Sequence, residues 1–283
     1  IKQVQFNNDI GSGRWLEAVV RDDDTGTYYG YYHNEPGGVC ADNNKTAPKI
    51  GAVRSRDQGR TWEDLGIIME GMGLLNCQTA NHYFVGGHGD FSVMLDQEKR
   101  YLYFFFSSYE DEWDQQGVSA AVMEWKHRDQ PKGAVYKYWG REGESKSFNQ
   151  PGLKGAVSPL NAHFGIRASW HDLHADAFWG PSVHWNTHLQ MYVMLLNRAV
   201  KADETWRQDG IYASFSPALE DPSQWSEPVR IVEGGTWYPQ IIGAQPGWGT
   251  DKVSGCKAFF FQGGVSKTMF YFIRPGETRP CTE

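Results

Sequence analysis

Apolar and aromatic positions along the chain gather into short runs separated by turns, and the clearest such stretch lies between Gly86 and Tyr109. Glycines and a lone acid, Asp90, open it; an apolar-rich segment from Phe91 to Leu95 follows; after a turn at Asp96 to Arg100, the aromatic run Tyr101 to Ser108 predicts a buried strand. The unit is a pair of strands with a carboxylate at its mouth, and it recurs. Glu17 precedes AVV, the turn RDDDTG and TYYGYYH; Trp179 and Gly180 precede PSV, HWNTHLQ and MYVMLLN; a weaker copy runs from YPQII at Tyr238 to CKAFFFQ at Cys256. A third strand candidate follows each pair: KIGAVRS, GVSAAVMEW, GIYASFS and KTMFYFI. Four small antiparallel meanders in one chain predict an all-β propeller of four-stranded antiparallel blades.

In a propeller the first strand of every blade lines the central channel, so equivalent positions converge on one funnel. Glu17 holds in the first unit the place that Asp90 holds in the second, and two carboxylates are expected to meet there. His33, Asn34 and Glu35 fall just past the first long strand, as a binding-site rim or an ordinary solvated loop. Ile1 to Phe6 alternates as a strand does and is expected to close the ring against the last meander. The stretch from Lys126 to Asp176 is the least regular. GAVYKYWGREGE reads as an outer strand and turn, and a long insertion at about residues 140–178 is expected across the channel mouth. Its end carries His171, Asp172, His174 and Asp176, a grouping that suits either a divalent ion or a hydrogen-bonded loop.

Composition narrows the partner. The 283 residues include 12 Trp, 14 Tyr and 15 Phe, a surplus of flat rings that suits the apolar faces of sugars as well as packing between sheets. A net charge of −7 without a Lys/Arg cluster argues against nucleic acid. No apolar run approaches the ~20 residues of a membrane span. No linker or composition break divides residues 1–283, so one domain, as a monomer, is expected. The chain opens on Ile1 without a signal segment, as a mature or trimmed product would. Four cysteines without C-x-x-C spacing point to disulfides and a secreted or periplasmic setting, with Cys40 paired to Cys77 and Cys256 to Cys281.

Ser55-Arg56-Asp57-Gln58-Gly59-Arg60-Thr61-Trp62 matches the pattern S-x-D-x-G-x-T-W. Its chemistry is that of a tight hairpin, in which Asp57 caps backbone amides, Gly59 supplies a positive φ and Trp62 packs back into the blade. It resembles the Asp-box of sialidases and related propellers. GDFSVMLD, WGPSVHWN and GIYASFSPALEDPSQWSEP resemble segments of the five-bladed glycosidases, the arabinanase, fructosidase and mannoside-phosphorylase-like groups. The resemblance implies five blades and a carbohydrate-active enzyme. The chain departs from it in lacking an F-R-I-P segment and an arginine triad, and in carrying Trp179-Gly180-Pro181 where those glycosidases often place a Glu beside the Pro.

Glycoside hydrolysis needs one carboxyl as general acid and a second as base or nucleophile. Glu17 and Asp90 are the expected pair, with Asp176 a third acid that sets a pKa by like charge. Trp179, Trp237 and Tyr238 are the expected sugar platforms. Arg14, His33, Glu35, His88, Arg167, His171 and His174 are the expected polar contacts. No metal is required, though a structural divalent cation in the channel stays open. Two other classes fit parts of the pattern: a uronic-polysaccharide lyase using His88, His171, Tyr238 and Arg167, and a sugar-binding propeller without catalysis.

Overall fold

The computed structural model describes residues 6–8, 13–41, 44–80, 83–110, 117–141, 143–166, 171–172, 175–202, 206–278 and 281. The first sheet holds β1 (Gly13–Arg21), β2 (Tyr28–Glu35), β3 (Lys49–Ser55) and β4 (Glu63–Met69), antiparallel and in sequence order. The second holds β5 (His88–Leu95), β6 (Tyr101–Ser108), β7 (Gly117–Glu124), β8 (Val135–Trp139) and β9 (Ser147–Pro151). The third holds β10 (Ala177–Asn186), β11 (Met191–Ala202), β12 (Trp206–Ser216) and β13 (Val229–Glu233). From β14 (Gln240–Gly243) the chain passes through β15 (Val253–Ser254), which pairs in parallel with β10. It then forms β16 (Lys257–Gln262) and β17 (Val265–Tyr271), which complete a three-stranded fourth sheet with β14.

Each sheet buries one face on its neighbour. Tyr29, Tyr31, Ile50 and Ile68 of the first sheet meet Phe91, Leu102, Phe104 and Phe106 of the second. Met94, Tyr103 and Phe105 on the opposite face of the second meet Phe178, Met194, Leu196 and Tyr212 of the third. Val193, Leu195 and Ile211 meet Ile241, Ala258 and Phe260 of the fourth. The unbroken aromatic run of β6 is thereby explained. Odd and even side chains of a strand point to opposite faces, and in β6 both faces are buried between blades.

These are four sheets among the described residues where five blades are expected. The N-terminal expectation is also corrected. Of Ile1 to Phe6 only Phe6 is described, and it bridges Trp62 beside the first meander rather than the last, with Asn7 N donating to Trp62 O at 2.9 Å. The insertion contributes β9 to the second sheet, and the segment after it lies on that sheet: Ser158 N donates to Tyr138 O and Leu160 N to Val118 O, at 2.8 and 3.0 Å. None of its described residues lines the channel-mouth cavity described below.

Cys40 is bonded to Cys77 and Cys256 to Cys281, as expected. In the turn between β3 and β4, Asp57 Oδ1 accepts from Thr61 N at 2.9 Å and Arg60 N at 3.1 Å, while its Oδ2 accepts from Thr61 Oγ1 at 2.7 Å. Gly59 has φ +80°, and Trp62 is buried in the first sheet. No helix among the described residues is long and apolar enough to cross a membrane.

Candidate active site

A local irregularity marks the opening of the inner strand in all four sheets. Register with the neighbouring strand shifts between Leu16 and Ala18, between Gly89 and Phe91, and between Trp179 and Ser182. Asp90 sits at φ +43° and Gly180 at φ +59°; two residues before β14, Tyr238 sits at φ +59°. A bulge turns a side chain out of the ladder, and left-handed backbone at a non-glycine residue is strain that neighbouring structure must hold. Glu17 and Asp90, displaced at these breaks, and left-handed Tyr238 line one cavity of about 550 Å³, together with Gly180, Trp15, His33, Glu35, Ser182 and Lys252.

Within it the acids converge. Glu17 Oε2 accepts from Phe91 N at 2.9 Å, and Oε1 lies 3.2 Å from His33 Nδ1. His33 Nδ1 is 3.9 Å from Asp90 Oδ1, and its Nε2 is 3.4 Å from Glu35 Oε1. Glu17, His33 and Asp90 each present an atom within 4.8 Å of the others, a set that could also hold a divalent cation. Asp90 Oδ2 accepts from the Tyr109 hydroxyl, and the Tyr238 hydroxyl also engages Asp90.

Burial pushes the Glu17 carboxyl above its ordinary range, against the lowering influence of His33. Burial alone would lower the pKa of His33. Hydrogen bonds to Glu17 and Glu35 and the charge of Asp90 reverse that and raise it to about 10. The Asp90 amide also points at His33 Nδ1 from 3.1 Å, a contact that favours the neutral ring. Three carboxyl groups around one imidazole outweigh a single amide, so the cation is the form the site favours. The Tyr238 ring is half exposed, yet its hydroxyl is turned inward, where burial and the charges of Asp90 and Glu17 push its pKa well up.

Several expected site residues lie elsewhere. Asp176 is absent from the cavity lining; its carboxylate takes Arg198 Nε at 2.9 Å and Nη2 at 3.1 Å in a two-pronged ion pair. Arg14 is spent on Asp64 at 3.2 Å and stacks on Phe6. His88 is fully buried with its Nε2 3.0 Å from Lys137 Nζ, and His171 is buried with its carbonyl taken by Ala80 N. Neither lines the cavity, so the lyase set is not brought together there. Arg167 and His174 lie outside the described residues, and with His174 goes the H-D-x-H-x-D grouping as a whole. Trp179 is buried behind the wall, its ring edge-on to Trp237 and Tyr238 at 6.2 and 5.8 Å.

Trp15, which is not among the expected site residues, also faces this cavity. It is 51% exposed, lines the cavity and stands edge-on to His33 at 5.9 Å. Its signal was the two-residue strand period, which pairs Trp15 with Glu17 as it pairs His33 with Glu35.

No protein-family model matches the chain, and no curated protein matches it. Among solved structures it is similar to Zg3597, a family 117 glycoside hydrolase of the marine bacterium Zobellia galactanivorans, at 11% identity and a TM-score of 0.50, over 96% of this chain and 75% of the other. It is also similar to the arabinanase Arb43A of Bacillus subtilis, at 14% identity and a TM-score of 0.43, over 93% and 74% of the two chains. At 11% identity the likeness to Zg3597 is one of fold alone, and it agrees with the β-propeller arrangement of the four sheets.

Proposed function

We propose that the protein is a glycoside hydrolase that cleaves an oligo- or polysaccharide between Glu17 and Asp90. The observation that carries this is their convergence, with atoms within 4.8 Å, in a cavity walled by the inner strands and openings of all four sheets. Glu17, whose pKa burial raises, is the general acid that protonates the leaving oxygen. Asp90, held by the Tyr109 hydroxyl, is the nucleophile. With nearest atoms within 4.8 Å, the pair suits the retaining course and its spacing of about 5 Å, and Asp90 is assigned as nucleophile on that basis. His33 bridges the pair and fixes the acid's orientation.

The turn at Ser55 to Trp62 is an Asp-box, and a fifth blade completes the ring beside the fourth sheet. Support for that blade comes from the half-exposed apolar row Ile242 and Phe259, cross-strand partners that no neighbouring sheet covers among the described residues. The two disulfides support a secreted or periplasmic setting, with the protein acting as a monomer on carbohydrate.

The test is release of reducing ends from a panel of neutral and uronic oligosaccharides, with Glu17→Gln and Asp90→Asn alongside. Cleavage that either amide variant abolishes is the expected result. Full activity in both variants, or products that absorb as unsaturated uronides, would remove the hydrolase reading.

A further inference from the structure

The loop between β13 and β14 separates the acid cavity from a second, more open trough of about 750 Å³, whose wall includes Arg207, Gln208, Thr236, Trp237 and Gly263. Tyr238 lines both. The loop is held along its length. Fully buried Asn197 accepts from Tyr238 N at 2.9 Å and donates to Thr236 O at 3.2 Å. Gln262 Oε1 accepts from Thr236 N at 2.7 Å, and Gly263 N donates to Trp237 O at 2.8 Å. These contacts hold Tyr238 at φ +59°, a conformation that a bulky side chain rarely takes without a reason.

The result is an aromatic step presented at little further entropic cost. Trp237 is 44% exposed, and the edge-on contact with Trp179 braces its indole from behind. Gln208 lies in the same wall with neither its amide oxygen nor its amide nitrogen hydrogen-bonded. Those atoms are shielded from solvent, so an amide left unpaired there carries a cost that a sugar hydroxyl would relieve.

From this geometry we infer a second sugar-binding subsite in the trough, next to the acids. A sugar unit lays its apolar face on Trp237 and its hydroxyls against Gln208 and Arg207, while the adjoining unit passes Tyr238 into the cavity of Glu17 and Asp90. The substrate is then an oligosaccharide of at least two units. This rests on the hydrolase reading for the neighbouring cavity, but binding in the trough needs no turnover.

The Glu17→Gln protein is titrated calorimetrically with mono-, di- and trisaccharides of arabinose, mannose, galactose and galacturonic acid. In one of these series the disaccharide binds about tenfold more tightly than the monosaccharide, the scale of one aromatic contact. Trp237→Ala in the same background removes that gain and leaves monosaccharide affinity unchanged; Trp237→Phe, which keeps a flat ring and guards against a folding defect, retains part of it. The subsite is overturned if no series gains with length, if nothing binds, or if Trp237→Ala weakens mono- and disaccharide alike. Continued turnover by Glu17→Gln would instead sink the acid assignment while the length dependence still reports on the trough.

Discussion

On the side of the channel made by the first two sheets, the inner strands break register at Glu17 and Asp90; on the side made by the third and fourth, a break falls at Gly180 and a left-handed residue, Tyr238, precedes β14. The device is shared and the residue it displaces differs. In one half it delivers two carboxyl groups, braced by His33, Tyr109 and the Phe91 amide. In the other it delivers a glycine and a tyrosine, backed by Trp179 and joined to Trp237. Repetition in a propeller thus sets where a side chain will point, and the identity at each opening sets what it can do there. Carboxyl groups belong to the first half and aromatic surface to the second.

The sharpest way to break this contrast is to change proton chemistry in one half and shape in the other. Glu17→Gln and Asp90→Asn keep size and remove the titrating group, so each should lower kcat on the order of 10³-fold while circular dichroism and sugar binding persist. Trp237→Ala, on the far side of Tyr238 from the acids, should act mainly on KM. Steady-state kinetics of the three variants decide it: a fall in kcat for Trp237→Ala as deep as for the acids would erase the division.

A second break is by pH. His33 has a folded-state pKa of about 10 against an ordinary value of 6.5. The stability that its cation contributes is therefore complete below about pH 6.5 and lost as pH rises through about 10. Melting temperatures measured from pH 6 to 10 should fall across that window, and His33→Gln should flatten the fall. An equally steep alkaline decline in His33→Gln would mean that the three acids do not hold the imidazole as a cation.

Much of this arrangement was legible in the sequence, for reasons particular residues make plain. The four meanders showed because strands between blades are buried on both faces, which leaves runs such as Tyr101 to Ser108. Glu17 and Asp90 showed because each stands at the opening of a repeated unit. Arg14, His88 and Asp176 misled because their partners are remote in sequence: Asp64, Lys137 and Arg198 claim them, and a local pattern carries no sign of that. Lys252 reaches the cavity from the long turn before β16, where nothing nearby marks it.

The aromatic half offers a smaller perturbation. Asn197→Ala removes the acceptor for Tyr238 N and the donor to Thr236 O from a fully buried position, at a cost on the order of 1–3 kcal/mol. It should raise KM through the loosened loop and leave kcat near wild type. Chemical denaturation gives the stability change and initial rates give the split; an unchanged KM would detach the loop from substrate binding.

The smallest effect is expected outside both halves, in the turn at Ser55 to Trp62, where no residue lines the cavity. Backbone and hydroxyl donors from Thr61, with Ser55 and Arg60, hold the Asp57 carboxyl down to about 2. The stability that its anion contributes is thus present above the ordinary carboxylate pKa and lost only as pH falls through about 2. Asp57→Ala removes those bonds, and Gly59→Val forces a β-branched residue to φ +80°, a strained backbone for any side chain of that shape. Both variants should melt earlier than wild type at neutral pH, Gly59→Val the more so, while kcat and KM per folded molecule stay unchanged. A variant that melts normally but has lost kcat would connect the turn to the acid half, and the contrast between the channel's two sides would then need a third member.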